Sequence, residues 1–166
     1  GAGNPHTVAI GYEAAFSTTT GYSNTSVGNI ALRNNTTGWN LTAVGSRALT
    51  NNTTGIYNTA VGVNALSNTT MGDNNTAFGW QSGLTNTVGS NNTFIGFLAN
   101  TNLNNRTNVT TIGYKAYAEC NNCLILGSVA SVNTAESNVN VGIGTTTPTR
   151  AKLEVNGAVD ATVAIF

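Results

Sequence analysis

The feature of this sequence that most constrains its fold is a short motif that returns with a constant 17-residue period. The motif ends in a glycine, preceded by an apolar residue. No insertion or deletion interrupts the period across the first two thirds of the chain. A fixed period indicates a repeat architecture in which each unit packs mainly on its neighbours. The repeat glycines are Gly11, Gly28, Gly45, Gly62, Gly79, Gly96 and Gly113.

Each repeat predicts one coil with a short strand before the glycine. The residue preceding the glycine is always apolar, and β-branched and aromatic residues at that position favour a strand. A mostly small residue comes before it, and a threonine before that in six of the seven repeats. An Ala-Leu pair, as at Ala48 and Leu49, follows in three repeats. We expect the pre-glycine side chain and the Ala-Leu pair to point into the coil.

The rest of each unit has the composition of turns. The sequence Asn-Asn-Thr-Thr-Gly at 34–38 and 51–55 is a cluster of turn-forming residues. Charged residues make up only 7% of the chain, against about 25% in an ordinary soluble domain. The chain instead contains 27 asparagines and 28 threonines, which are poor helix formers. A regular register argues against disorder, so we predict an all-β solenoid with a thin core.

The units Asn58-Thr-Ala-Val-Gly62 and Asn75-Thr-Ala-Phe-Gly79 resemble the head repeats of trimeric autotransporter adhesins. They are still more similar to the 17-residue repeats of phage tail fibres and bacterial surface fibre proteins. The resemblance implies a left-handed parallel β-roll, packed as a homotrimer at a cell surface, outside the cell or on a virion. A coil this thin would also gain burial by association, because exposed apolar strips usually mark interfaces.

The register changes after Gly113, since the next Leu-Gly ending, at Gly127, follows after a 14-residue step. We therefore divide the chain into a β-roll repeat domain, 1–127, and a C-terminal strand and hairpin segment, 128–166. Residues 140–148, with 151–157 after them, resemble the segment that precedes the intramolecular chaperone of endosialidase-type tail fibres. Within this segment, Asn156-Gly157 predicts the two-residue turn of a hairpin.

The two ends of the chain carry almost the same strand, Thr7-Val-Ala-Ile-Gly11 and Thr162-Val-Ala-Ile-Phe166. One interpretation is that valine-rich strands simply look alike. The other is head-to-tail self-association, in which the last strand of one subunit pairs with the first coil of the next. Open solenoid ends offer unpaired strand edges suited to such pairing.

Catalytic chemistry has little support in this sequence. The one histidine, His6, lies beside Pro5, and the six acids do not follow the 17-residue period. Cys120 and Cys123 stand alone, so we expect a structural role, with a disulfide favoured over a metal site. We predict no catalytic residue, no cofactor and no metal. Scattered basic residues disfavour nucleic acid, and membrane insertion is disfavoured because no apolar run is long enough to span a bilayer.

Aromatic residues flank several repeat glycines. Most of them are expected to pack between coils or between chains. A sugar-stacking platform on a receptor-binding face is the functional alternative, with Trp39 as the candidate receptor contact and a cell-surface glycan as the partner.

The functional prediction is therefore a structural subunit of a fibre: a tail fibre, an adhesin head or a surface filament. The alternative is an ice-binding or surface-binding solenoid, because one threonine in six of the seven repeats forms a regular series from Thr25 to Thr110. That series is expected to face the interior or a neighbouring chain. An enzyme is the third hypothesis, disfavoured by the shortage of acids and histidine.

Overall fold

The structure, a computed structural model, describes residues 6–128 and the strand residues 141–143 and 153–155. No described residue is helical. The elements are all short β-strands. They are β1 Val8–Ile10, β2 Thr25–Val27, β3 Thr42–Val44, β4 Thr59–Val61, β5 Thr76–Phe78, β6 Thr93–Ile95, β7 Asn100–Thr101, β8 Val109–Ile112, β9 Tyr117–Ala118, β10 Cys123–Leu126, β11 Val141–Ile143 and β12 Leu153–Val155.

The main sheet has eight parallel strands in the order β1-β2-β3-β4-β5-β6-β8-β10. Equivalent residues of successive coils pair, as Thr42 does with Thr59. The predicted parallel β-solenoid with 17-residue coils is therefore confirmed, and the eight strands delimit seven turns. The last turn is shorter, because Cys123 pairs with Val109 after a 14-residue step. We call residues at equivalent positions of successive coils a column.

Two smaller parallel pairs complete the described strands. β7 pairs with β9 in the last coils, and β11 pairs with β12 in the C-terminal segment. The hairpin predicted around Asn156-Gly157 would join β12 to residues beyond 157, which lie outside the described part of the chain. The terminal strand 162–166 lies outside it as well.

The prediction that the pre-glycine residues point inwards is wrong. From β2 to β6 the middle residue of the strand is the buried one, as at Ala43 and Ala60 with 0% exposure, whereas Phe78 is 59% exposed. Side chains alternate along a strand, so only one of the two faces can line the coil. The coil is narrow, and a small residue fits on the inside while the larger Val, Ile or Phe faces out. The Ala-Leu pair is buried as expected.

The interior contains two laterally distinct parts. The aliphatic strip combines the strand-centre column with the Ala-Leu columns in one hydrophobic cluster. Its members are Ala31, Leu32, Ala43, Ala48, Leu49, Ala60, Ala65, Leu66, Ala77, Phe94 and Ala99, and the cluster also includes Leu41 from the neighbouring strip. The amide strip consists of two columns in which most residues are polar and fully or almost fully buried, with apolar exceptions such as Leu41. Its asparagines are Asn24, Asn35, Asn52, Asn58, Asn75, Asn86 and Asn92.

The repeat glycines are required by both backbone conformation and crowding. Gly45 has a φ of 129°, and a Cβ built there would lie 2.5 Å from the carbonyl oxygen of Gly62. An L-residue is strained in that region of φ. The column of glycines therefore lets successive coils approach at the spacing of a sheet, about 4.8 Å.

Candidate functional site

The outward side of the main sheet forms a continuous surface, which we call the apolar face. It carries two columns, one of threonines and one of the pre-glycine residues. None of the described strands of this sheet contains a charged residue. Ile10 is 60% exposed, Phe78 59% and Ile95 38%. A contiguous apolar strip of this kind is typical of an interaction surface.

The threonine column also lies on this outer side. Thr42 and Thr59 are partly exposed and Thr76 is exposed, while the neighbouring strand centres are buried. Of the two expectations for this column, the one in which it faces a neighbouring chain stays a prediction, and the one in which it faces the interior is wrong. Alternation along the strand explains it, because the residues two apart in each strand share one side.

A second laddered surface lies in the Asn-Asn-Thr-Thr-Gly segment, which the sequence alone suggested was a turn. Thr36 N–H donates to the carbonyl oxygen of Thr53 at 2.9 Å, and Thr53 N–H donates to that of Thr70 at 2.9 Å. Asn35 and Asn52 point inwards and are fully buried. The residues on either side of them, by contrast, remain partly exposed.

These outward residues line a concavity of about 840 Å³, which we call the Asn–Thr groove. The groove is shallow and open to solvent along its length. The signal that could have revealed it is the alternation of Asn and Thr two residues apart in each unit. The lining residues are Asn34, Asn51, Thr53, Asn68, Thr70, Leu84, Thr85 and Thr87.

A smaller concavity of about 420 Å³ adjoins the groove along its asparagine column and brings in charged residues. Arg33 Nε–H donates to Glu13 Oε2 at 2.5 Å. This hydrogen bond from the Arg33 guanidinium holds the pKa of the Glu13 carboxyl below its usual value. Arg47 also lines this concavity and is exposed.

The aromatic residues pack against one another between coils. Tyr22 stacks on Trp39 with ring centroids 5.4 Å apart and an interplanar angle of 5°. Tyr57 meets the same indole at 4.6 Å in an edge arrangement. One face of the half-buried Trp39 ring is therefore covered, and its role as a receptor contact stays a prediction.

A second aromatic ladder runs along the column that follows the repeat glycines. Trp80 and Phe97 stack with centroids 4.8 Å apart, and Phe97 and Tyr114 with centroids 5.4 Å apart. Phe97 is therefore stacked on both faces, whereas Trp80 and Tyr114 each stack on one aromatic neighbour. This packing stabilises the contact between coils.

Cys120 and Cys123 form a disulfide within the chain, with Cα atoms 6.1 Å apart. Their sulfur atoms are consequently not metal ligands. No group of three or more His, Cys, Asp or Glu side chains suited to a metal occurs in the described part of the chain.

The described acids are placed in separate coils. Glu13 is in the first coil, Asp73 lies before β5 and Glu119 follows β9. Asp73 serves the backbone, since its Oδ1 accepts a hydrogen bond from Ile56 N–H at 2.8 Å. The structure thus brings no pair of described carboxylates together through neighbouring coils. Nor does any described segment form a helix of the length and hydrophobicity needed to cross a bilayer.

No protein-family model, curated protein or solved structure significantly matches this chain. Its function must therefore be inferred from the surfaces of the solenoid itself.

Proposed function

We propose that this chain is a structural subunit of an extracellular or virion fibre, as in a tail fibre, an adhesin head or a surface filament. The observation that carries the proposal is the apolar face, which extends over all eight strands of the main sheet without a charged residue. Monomeric soluble proteins rarely expose so long an apolar strip. A fibre would bury it between chains.

The partners proposed for the apolar face are two further copies of the same chain. The face presents the same pair of columns in every coil, so identical chains can pack in register along their whole length. Threonine at the first position is short enough to allow close approach. The number of chains, three, comes from the resemblance of the repeats to adhesin heads and tail fibres.

Head-to-tail contact would extend such a trimer into a longer fibre. Among the described strands, β1 is the terminal strand of its sheet and pairs only with β2. All three of its residues, Val8, Ala9 and Ile10, are exposed. An edge strand of this kind is a template for another strand, and the similar sequence at 162–166 is the proposed partner.

The test of the fibre proposal is a pair of matched substitutions. Ile95, on the apolar face, is 38% exposed, and Val88, outside the main sheet, is 41% exposed. Ile95→Lys should convert a trimer of 17.0 kDa chains into monomers, because a lysine cannot be desolvated at the interface without a partner. Val88→Lys should leave the trimer intact. Light scattering coupled to size-exclusion chromatography measures both.

Electron microscopy of the same samples separates the architectures. Discrete rods would support an adhesin head or tail-fibre segment, and long filaments would support head-to-tail stacking. A monomeric wild-type protein would overturn the fibre proposal.

The outward threonine column favours ice or crystal-surface binding as the second candidate function. Thr42, Thr59 and Thr76 are spaced by one coil each on a sheet of parallel strands. Such a regular array of hydroxyl and methyl groups could match an ordered surface. The neighbouring column is less regular, because Phe78 interrupts the valines and isoleucines. Thermal hysteresis in a monomeric protein, lost in Thr59→Leu, would favour this candidate over the fibre.

A further inference from the structure

The Asn–Thr groove repeats one arrangement of polar groups along the solenoid axis. Asn34, Asn51 and Asn68 occupy one column, and Thr53 and Thr70 belong to the column beside it. Successive members are one coil apart, a spacing of about 4.8 Å. This is close to the rise of one sugar unit in an extended pyranose chain. Successive sugar rings would therefore meet equivalent side chains.

The groove has hydrogen-bonding capacity left for a ligand. Asn34 Nδ2 donates to Asn51 Oδ1 at 3.0 Å, while the Asn51 amide nitrogen and the exposed Asn68 amide have no partner within the described residues. Thr53 and Thr70 donate their hydroxyl hydrogens to carbonyl oxygens of the next coil. Their oxygen lone pairs remain available as acceptors. Amide donors beside hydroxyl acceptors complement the hydroxyl groups of a sugar.

Apolar surface is also present in the same groove. The threonine methyl groups and Leu84 contribute to the lining. Ligand sites commonly combine such apolar surface with a few polar groups that fix orientation. The C–H faces of a pyranose ring suit this combination.

The charge beside the groove, in the smaller concavity that shares Asn34, Asn51 and Asn68 with it, defines the ligand further. Arg33 is paired with Glu13, so these two charges cancel. Arg47 makes no ion pair among the described residues and is exposed. Its planar guanidinium can bind a carboxylate through two parallel hydrogen bonds. A single uncompensated cation suits an acidic sugar better than a nucleic-acid backbone, which requires several.

We infer that the Asn–Thr groove binds a linear acidic glycan, with pyranose units along the asparagine column and a sugar carboxylate reaching sideways to Arg47 in the adjoining concavity. The acidic glycan would be the receptor of the proposed fibre. The groove assignment rests on the fibre proposal only in that a fibre would be exposed to such glycans. The binding geometry itself lies within one chain.

The test is isothermal titration of the assembled protein with tetragalacturonate and, separately, with neutral cellotetraose. Tetragalacturonate should bind and cellotetraose should bind much more weakly. Arg47→Gln should weaken tetragalacturonate binding about tenfold, because a charge-assisted hydrogen bond is lost. Asn68→Ala should weaken it several-fold.

Two matched controls should leave binding unchanged. Lys115→Gln removes a cation at the same coil position as Arg47, with a similar positive φ, but away from the groove and from the concavity that adjoins it. Asn29→Ala removes an exposed asparagine on another surface. Absence of tetragalacturonate binding, equal binding of cellotetraose, or equal loss in the controls would overturn the inference.

Light scattering on the same samples separates the two proposals. A trimer that does not bind tetragalacturonate contradicts the groove assignment alone. A monomer that binds it through Arg47 contradicts the fibre proposal and supports the groove.

Discussion

The aliphatic strip and the amide strip run through the same coils but are stabilised differently. The aliphatic strip is stabilised by close packing of side chains. A larger side chain at one position can therefore be offset by a smaller one at a neighbouring position. The amide strip is held by directional bonds, since Asn75 N–H donates to Asn58 Oδ1 at 2.9 Å and Asn92 N–H donates to Asn75 Oδ1 at 3.0 Å. In that strip a buried backbone N–H of one coil is satisfied only if the neighbouring coil has a side-chain acceptor at the equivalent position.

The chain already contains an example of compensation in the aliphatic strip. The strand-centre column changes from alanine to Phe94, and the leucine column changes at the same level from Leu66 to Gly83. A Cβ built at Gly83 would lie 2.7 Å from Phe94 Cδ2. The phenylalanine ring therefore occupies the space that a leucine fills in earlier coils, and close packing is maintained.

The largest loss of stability is expected from disrupting the exchange of side-chain volume between Phe94 and Gly83. Phe94→Ala should destabilise the protein by about 3–5 kcal/mol, because the ring leaves a cavity beside Gly83. Gly83→Leu alone should also destabilise it by overpacking. The double variant should recover much of the loss, because leucine already adopts a positive φ in this column at Leu32, Leu49 and Leu66. Urea denaturation measures all three variants, and additive effects would contradict the volume exchange.

A smaller loss is expected from breaking the amide strip. Leu41 occupies the Asn75 column in an earlier coil and is 1% exposed, so a leucine fits there. Asn75→Leu should nevertheless cost about 1–3 kcal/mol, because Asn92 N–H loses its acceptor while still buried. Urea denaturation measures the total loss of stability, and hydrogen exchange at the Asn92 backbone amide shows whether the loss arises at that bond. Unchanged exchange at that amide would show that the bond contributes little.

A gain of stability should follow from extending the same strip. Asn52 Oδ1 is buried and has no hydrogen-bond donor, because the next residue in its column is Thr69. Thr69→Asn should supply the missing donor, as Asn52 Nδ2 does for Asn35 Oδ1 at 3.0 Å. We expect a stabilisation of about 1 kcal/mol, measured as a higher urea midpoint with an unchanged slope. A lower midpoint would mean that the threonine methyl packs better than the amide bonds.

The smallest effect on stability is expected from a change of pH, because neither strip contains a titratable group. Glu13 has its pKa lowered by the hydrogen bond from Arg33. A carboxyl whose pKa is lower in the folded state stabilises the protein above its unfolded pKa and loses that contribution as the pH falls through the folded one. The melting temperature should therefore fall slightly on acidification below pH 4.5. Glu13→Gln should abolish the part of this decrease that comes from the Glu13 carboxyl. If the melting temperature of the variant falls as much as that of the wild type, other groups cause the decrease.

The sequence by itself determined the period, the parallel pairing and the short final turn. The 17-residue spacing places like residues beside like residues, and the 14-residue step to Cys123 appears as a shorter coil. These features depend only on the order of residues along the chain. The strand positions followed from the same local pattern of Thr, a small residue and an apolar residue.

Only the tertiary structure decided which side of each strand faces inwards. Both sides carry uncharged residues, so hydrophobicity could not distinguish Ala60 from Val61, and the width of the closed coil made the choice. The left-handed corner conformations at Leu32 and Leu49 are a further example, because such values of φ are rare for leucine and are imposed by closure of the coil. The Asn–Thr groove was hidden for the same reason: a turn in one repeat becomes a ladder only when coils stack.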